Sequence, residues 1–194
     1  MVFDKITEYP MRIVEQGLDV FHATALSFGP FLTFLIMAFL TPHQATAQEI
    51  TFSAVATESC LASTLPDEHE RCIGQSAVEC QESSDGGSTT YGMITCLNGE
   101  AKYWDTQLNE TYGELMAFEE ATDTELLQIN ATVPSKAEAL RDMQRAWITF
   151  RDASCSYERS QFGNGTGAGP AGVSCFMRMT GKQTIFLRER LQHN

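Results

Sequence analysis

The sequence predicts an all-α fold, a small disulfide-stapled helical bundle built on a long antiparallel helical hairpin. Three observations predict it. The informative stretches after residue 53 carry apolar residues at helical period, and alternating β-branched runs are absent apart from a brief ITFSAVA at 50–56. A capping signature, Pro134-Ser135-Lys136-Ala137-Glu138, opens a long helix in the second half. All six cysteines, Cys60, Cys72, Cys80, Cys96, Cys155 and Cys175, lie beyond residue 47, and an even count of this kind reads as a disulfide framework formed in an oxidising compartment.

The elements follow in chain order. From Phe28 the chain reads FGPFLTFLIMAFL and then TPHQATA. That apolar run is short for a bilayer span and is interrupted by Gly29, Pro30 and Thr33. It suits the apolar region of a secretory signal, with Ala45-Thr46-Ala47 as a small-x-small cleavage site. Residues 1–47 are therefore expected to be a signal peptide that is removed, although Lys5 and Arg12 are outnumbered by Asp4, Glu8, Glu15 and Asp19. No cysteine stands at the cleavage point to carry a lipid. The expected product is periplasmic or secreted, without stable membrane insertion.

Residues 48–89 read as a cysteine-containing helical extension, with short helices near 54–63 and 70–82 and a turn at Ser83-Ser84-Asp85-Gly86-Gly87. Residues 90–194 read as one helical domain. Its first long helix is expected from about Thr90 to Ala121, its second from Ser135 to about Ser160, and a last one over about 174–191. The Gly-rich run GNGTGAGPAG at 163–172 is expected to be the loop between the last two.

The two long helices carry matching polar faces. Asp105, Leu108, Asn109 and Tyr112 fall at i, i+3, i+4 and i+7, and Gln144, Trp147 and Arg151 at i, i+3 and i+7, beside Asp152. An antiparallel register that sets Asp105 beside Arg151 also sets Asn109 beside Trp147 and Tyr112 beside Gln144. The expectation is a structural interhelical network in which Arg151 pairs with Asp105 and reaches Asn109, and Tyr112 bonds to Gln144. Buried polar groups demand such partners, because an orphaned one costs about 1–3 kcal/mol.

Cys155 ends the second long helix and Cys175 opens the last, so a bridge between them would close the Gly-rich loop. On a continuous helix Cys72 and Cys80 would stand about 12 Å apart, beyond bridging range. That leaves Cys60–Cys72 with Cys80–Cys96, or Cys60–Cys80 with Cys72–Cys96. The first is preferred, because Cys80 and Cys96 flank the Gly86-Gly87 turn.

Composition narrows the function classes. The chain holds 13 Lys+Arg against 25 Asp+Glu, a formal net charge of -12, which opposes nucleic-acid binding and suits a cationic protein partner. No Cys-x-x-Cys pair exists and His69 is the single imidazole near the cysteines, so no metal site is expected. The Gly-rich run has neither a preceding strand nor a Gly-Lys-Ser/Thr, which removes the nucleotide reading. His22 and His43 lie in the signal, His193 lies next to the C-terminus, and His69 has no recognisable nucleophile beside it. Glu119 and Glu120 are consecutive on a helix and point apart. Neither an enzyme nor a cofactor is expected.

The spacing Cys96, Asp105, Leu108-Asn109, Tyr112, then Gln144, Trp147, Arg151-Asp152, Cys155, followed by a Gly-rich loop, Cys175 and Thr180, resembles the LprI-like lysozyme-inhibitor N-terminal domain family. The resemblance covers about residues 92–191. It implies a helical exported bacterial domain and, for the founding members, inhibition of lysozyme. The chain departs from the family pattern in its longer Gly-rich loop and in Gln183, where the family often has Arg. The reading is thus an exported binding module, inhibitor-like, whose partner is a protein and in the first instance a cationic lysozyme. A structural or assembly protein of the envelope is the alternative. The Gly-rich loop and the acidic turn around Glu119–Glu125 are the expected binding face.

Overall fold

A computed structural model describes residues 50–129 and 131–193, and every regular element among them is helical. The expected signal segment, residues 1–47, lies outside the described residues. The order is α1 (Val55–Ser63), a 3-10 segment (Pro66–Cys72), α2 (Gln75–Ser83), α3 (Thr90–Gln128), α4 (Lys136–Ser160) and α5 (Ala168–His193).

Local chemistry sets the boundaries. Gly74, at φ 101°, takes a left-handed conformation that a side chain rarely adopts, and this breaks the helix expected over 70–82 into the 3-10 segment and α2. The Thr89 hydroxyl accepts from Gly92 N at 3.0 Å and starts α3. Gly92 has no room for more, since a Cβ there would lie 2.2 Å from the Gly86 carbonyl oxygen. Helix α3 runs to Gln128, about two turns past the expected end, because nothing from Ala121 onward breaks it. The Ser135 hydroxyl accepts from Glu138 N at 3.0 Å, which is the cap read from the sequence.

Helix α5 departs most from expectation. It begins at Ala168, so half of the Gly-rich run is helical and the loop shrinks to 161–167. Pro170 sits in the first turn, where its missing N–H would have had no partner. Gly169 lies so close to Ile94 of α3 that a Cβ would stand 2.7 Å from its Cδ1. These glycines serve close helix packing as well as loop freedom.

The structure pairs Cys60 with Cys72, Cys80 with Cys96 and Cys155 with Cys175, at Cα separations of 5.5, 5.6 and 5.3 Å. Because Gly74 turns the chain between Cys72 and Cys80, the continuous-helix distance used to separate them does not describe their placement.

Helix α5 lies against both long helices. One cluster joins Ala77 of α2, Ala101 and Trp104 of α3, and Met177 and Ile185 of α5. A second joins Leu108 and Leu115 of α3, Leu140 of α4 and Leu187 of α5, with Tyr112 and Trp147 at its edge. Trp104 and Leu187 are fully buried, each of the kind whose burial is worth about 2–3 kcal/mol. The bundle is therefore three long helices, with α1 and α2 laid on one end.

Candidate functional site

The polar residues expected to join α3 to α4 bond instead within their own helices or to α5. Arg151 is buried and its guanidinium carbon lies 4.0 Å from the Phe176 ring centroid and 4.9 Å from that of Trp147. Its Nε and Nη2 both reach Oδ1 of the adjacent Asp152 at 2.9 Å. This corrects the expected Arg151–Asp105 pair. Phe176 of α5 covers the guanidinium, and the neighbouring Asp152 carboxylate, half exposed, takes the charge without leaving helix α4. A desolvated cation between two rings gains about 2 kcal/mol.

Asp105 instead accepts a long 3.4 Å bond from Asn109 Nδ2 within α3. The expected Tyr112–Gln144 bond is likewise replaced: Gln144 Oε1 accepts from Gln183 Nε2 of α5 at 2.9 Å. Tyr112 packs at the edge of the leucine cluster, where burial pushes its hydroxyl pKa up. Leu108 is buried beneath it and Trp147 is partly buried beside it. The hairpin register itself is close to expectation near the turn. There Lys136 Nζ lies 3.7 Å from Glu119 Oε2, and Arg141 Nη2 lies 3.6 Å from Glu120 Oε1 and 4.0 Å from Met116 Sδ.

Sequence reasoning missed a second polar centre around Glu100. Its carboxylate is fully buried, with Oε1 accepting from Gly74 N at 2.6 Å, Thr57 Oγ1 at 3.0 Å and Trp104 Nε1 at 3.0 Å. Oε2 accepts from Ala77 N at 2.7 Å. A carboxylate from α3 thereby caps the N-terminus of α2, where free N–H groups and the helix dipole favour negative charge. Thr57 and Ser76 close the centre reciprocally, Thr57 N donating to Ser76 Oγ at 2.9 Å and Ser76 N to Thr57 Oγ1 at 3.1 Å. The spacing of Glu100 and Trp104, four apart, was the available signal.

A third centre locks the hairpin turn. Asp123 accepts from Ser135 Oγ at 2.6 Å, Lys136 N at 2.9 Å and Ala137 N at 3.1 Å. The Ser135 hydroxyl bond first, then the two amides, hold its carboxyl pKa below the ordinary value. Of the expected binding face, loop residues 161–166 are exposed, and so are Glu120 and Glu125 of α3. Among the described residues no group of three or more His, Cys, Asp or Glu is placed to hold a metal, and every cysteine is oxidised. What these centres do is hold helices in register.

Comparison with known proteins places this scaffold. The chain is 33% identical over 97 residues to an uncharacterised protein of Rhizobium meliloti, covering 50% of this chain and 70% of that one. It is 23% identical over 133 residues to an uncharacterised 17.7 kDa protein of Rhodobacter capsulatus, covering 68% and 82% respectively. It is 32% identical over 83 residues to the uncharacterised protein YecT of Escherichia coli, covering 39% of this chain and 45% of that one. No solved structure matches. The family model described as lysozyme inhibitor LprI matches residues 80–187, a span that runs from the Cys80 disulfide to Leu187 at the centre of the leucine cluster. The chain belongs to the lysozyme inhibitor LprI family.

Proposed function

We propose that this chain is an exported inhibitor-type protein that binds a lysozyme and acts by association, not by turnover. The observation that carries the reading is the family match over residues 80–187. Three physical features support it. The net charge of -12, of which residues 1–47 carry only -2 (Lys5 and Arg12 against Asp4, Glu8, Glu15 and Asp19), draws a cationic enzyme toward it and raises the association rate. Three disulfides suit a protein that works in an oxidising compartment. Among the described residues no helix is long and apolar enough to cross a membrane. The proposed location is the periplasm or the medium, after removal of residues 1–47.

The polar face of Asp105, Leu108, Asn109, Tyr112, Gln144, Trp147, Arg151 and Asp152 is proposed to be structural: it fixes the mutual register of α3, α4 and α5 that any binding surface needs. Its partner groups are consumed within the bundle. The test is lysozyme turnover on labelled peptidoglycan in the presence of the oxidised 48–194 chain. A dose-dependent fall in rate is expected. An unchanged rate with the protein in micromolar excess over a panel of lysozymes removes the proposal.

A further inference from the structure

The end of the hairpin has a form that the structural role of the bundle does not require. Leu115 is the last buried residue of α3, and α5 makes its final packing contact through Leu191 in the same leucine cluster. Helix α3 continues to Gln128, so its end extends roughly 20 Å past the three-helix core with α4 as companion. The contacts that brace this extension are the Glu119–Lys136 and Glu120–Arg141 ion pairs and the Asp123 cap on α4. At its end, Leu127, Ile129 and Val133 are 72%, 73% and 54% exposed. Each is a large apolar side chain in water on a convex, braced projection.

We propose that this tip is the element that enters the partner, and that the partner surface is a concave site on a cationic lysozyme; the assignment rests on the function proposed above. The shape argument is that a convex projection requires a concave receptor. The charge argument is that Glu119, Glu120, Asp123 and Glu125 on α3 and Glu138 on α4 outnumber Lys136 and Arg141, which pair with Glu119 and Glu120, so the end of the hairpin is net acidic. An apolar centre with a polar rim is the anatomy of a protein interface, and here the net charge beside it is acidic. The Asp123 cap matters as pre-organisation. It ties the first turn of α4 to α3 before any partner arrives, which reduces the ordering cost of binding.

A competing face exists on α4, where Phe150 and Tyr157 are 64% and 65% exposed two turns apart. It lies along α4, away from the hairpin tip, with Asp152 and Glu158 exposed on the same helix. The experiment compares the two faces by association kinetics on immobilised c-type lysozyme. The variant Leu127→Ser/Ile129→Ser/Val133→Ser is expected to dissociate at least about tenfold faster, as removal of a central apolar anchor does. Glu120→Gln/Glu125→Gln is expected to associate more slowly and with a flatter salt dependence. Phe150→Ser/Tyr157→Ser is expected to bind as the parent chain does. Hydrogen exchange on the unaltered complex supplies an independent reading, with protection expected at the amides of 124–136. Tip variants that bind like the parent, or protection confined to α4 beyond residue 145, overturn the assignment and leave the proposed function standing. Absence of any binding by the parent chain overturns both.

Discussion

Removing the Glu100 carboxylate tests the interior wiring of the fold most sharply. In Glu100→Ala, four donors lose their acceptor: the part-buried amide of Gly74, the buried amide of Ala77, the Thr57 hydroxyl and the Trp104 indole. The two amide bonds, at 2.6 and 2.7 Å, are short and charge-assisted, and bonds of that kind are worth about 1.5–3 kcal/mol each. The Thr57 hydroxyl keeps the bond it accepts from Ser76 N, while its own proton loses its acceptor. The expected destabilisation is about 4 kcal/mol, a large part of the 5–15 kcal/mol that typically holds a domain. Glu100→Gln is the finer probe. Its amide oxygen can replace Oε1, but its NH₂ group then faces the Ala77 N–H, and one unsatisfied donor costs about 1–3 kcal/mol. Urea unfolding of the oxidised chain, followed by far-ultraviolet circular dichroism, measures both. Exchange of the Gly74 and Ala77 amides should accelerate in parallel. A Glu100→Ala loss below about 1 kcal/mol, with those amides still protected, would refute the reasoning.

Further outcomes follow from the other centres. Arg151 and Phe176 should show a coupling of about 1 kcal/mol in a double-mutant cycle, while Arg151 and Asp105 should show about none. Asp123 is held below its ordinary pKa of 3.8 in the folded chain, so its contribution is fully present above that value and is lost as pH falls through the lower, folded one. The melting difference between the parent and Asp123→Asn should therefore be constant near neutrality and shrink below about pH 4, as scanning calorimetry across pH would record. Loss of the Cys155–Cys175 bridge through Cys155→Ser/Cys175→Ser opens a loop with a sequence separation of 20 and should cost about 3 kcal/mol in urea.

The hairpin was legible because its signals are local. Pro134, Ser135 and Glu138 announce α4 through cap geometry, and the repeating polar positions of α3 and α4 gave their register near the turn. The wiring of that face was not legible, because it depends on a third helix. Gln183 and Phe176 take the partners that a two-helix picture assigns to Tyr112 and Asp105, and no spacing within α3 or α4 reveals them. The start of α5 was hidden by composition: Gly169 reads as loop in one dimension and as a close contact with Ile94 in three. Glu100 was hidden differently. In a chain with 25 acidic residues, the four-residue spacing to Trp104 is the sole local mark of Glu100, the one fully buried carboxylate among the described residues. Its donors Gly74 and Ala77 come from the other side of a disulfide-stapled turn.

Function rests on the family match and the tip assignment on shape and charge, and both meet in one measurement. Calorimetric titration of the oxidised 48–194 chain into a c-type lysozyme at low and at physiological salt reads affinity and its electrostatic share together. One-to-one association, weakening as salt rises, is the expected result. No heat of binding at either ionic strength, with both proteins folded at tens of micromolar, would contradict it.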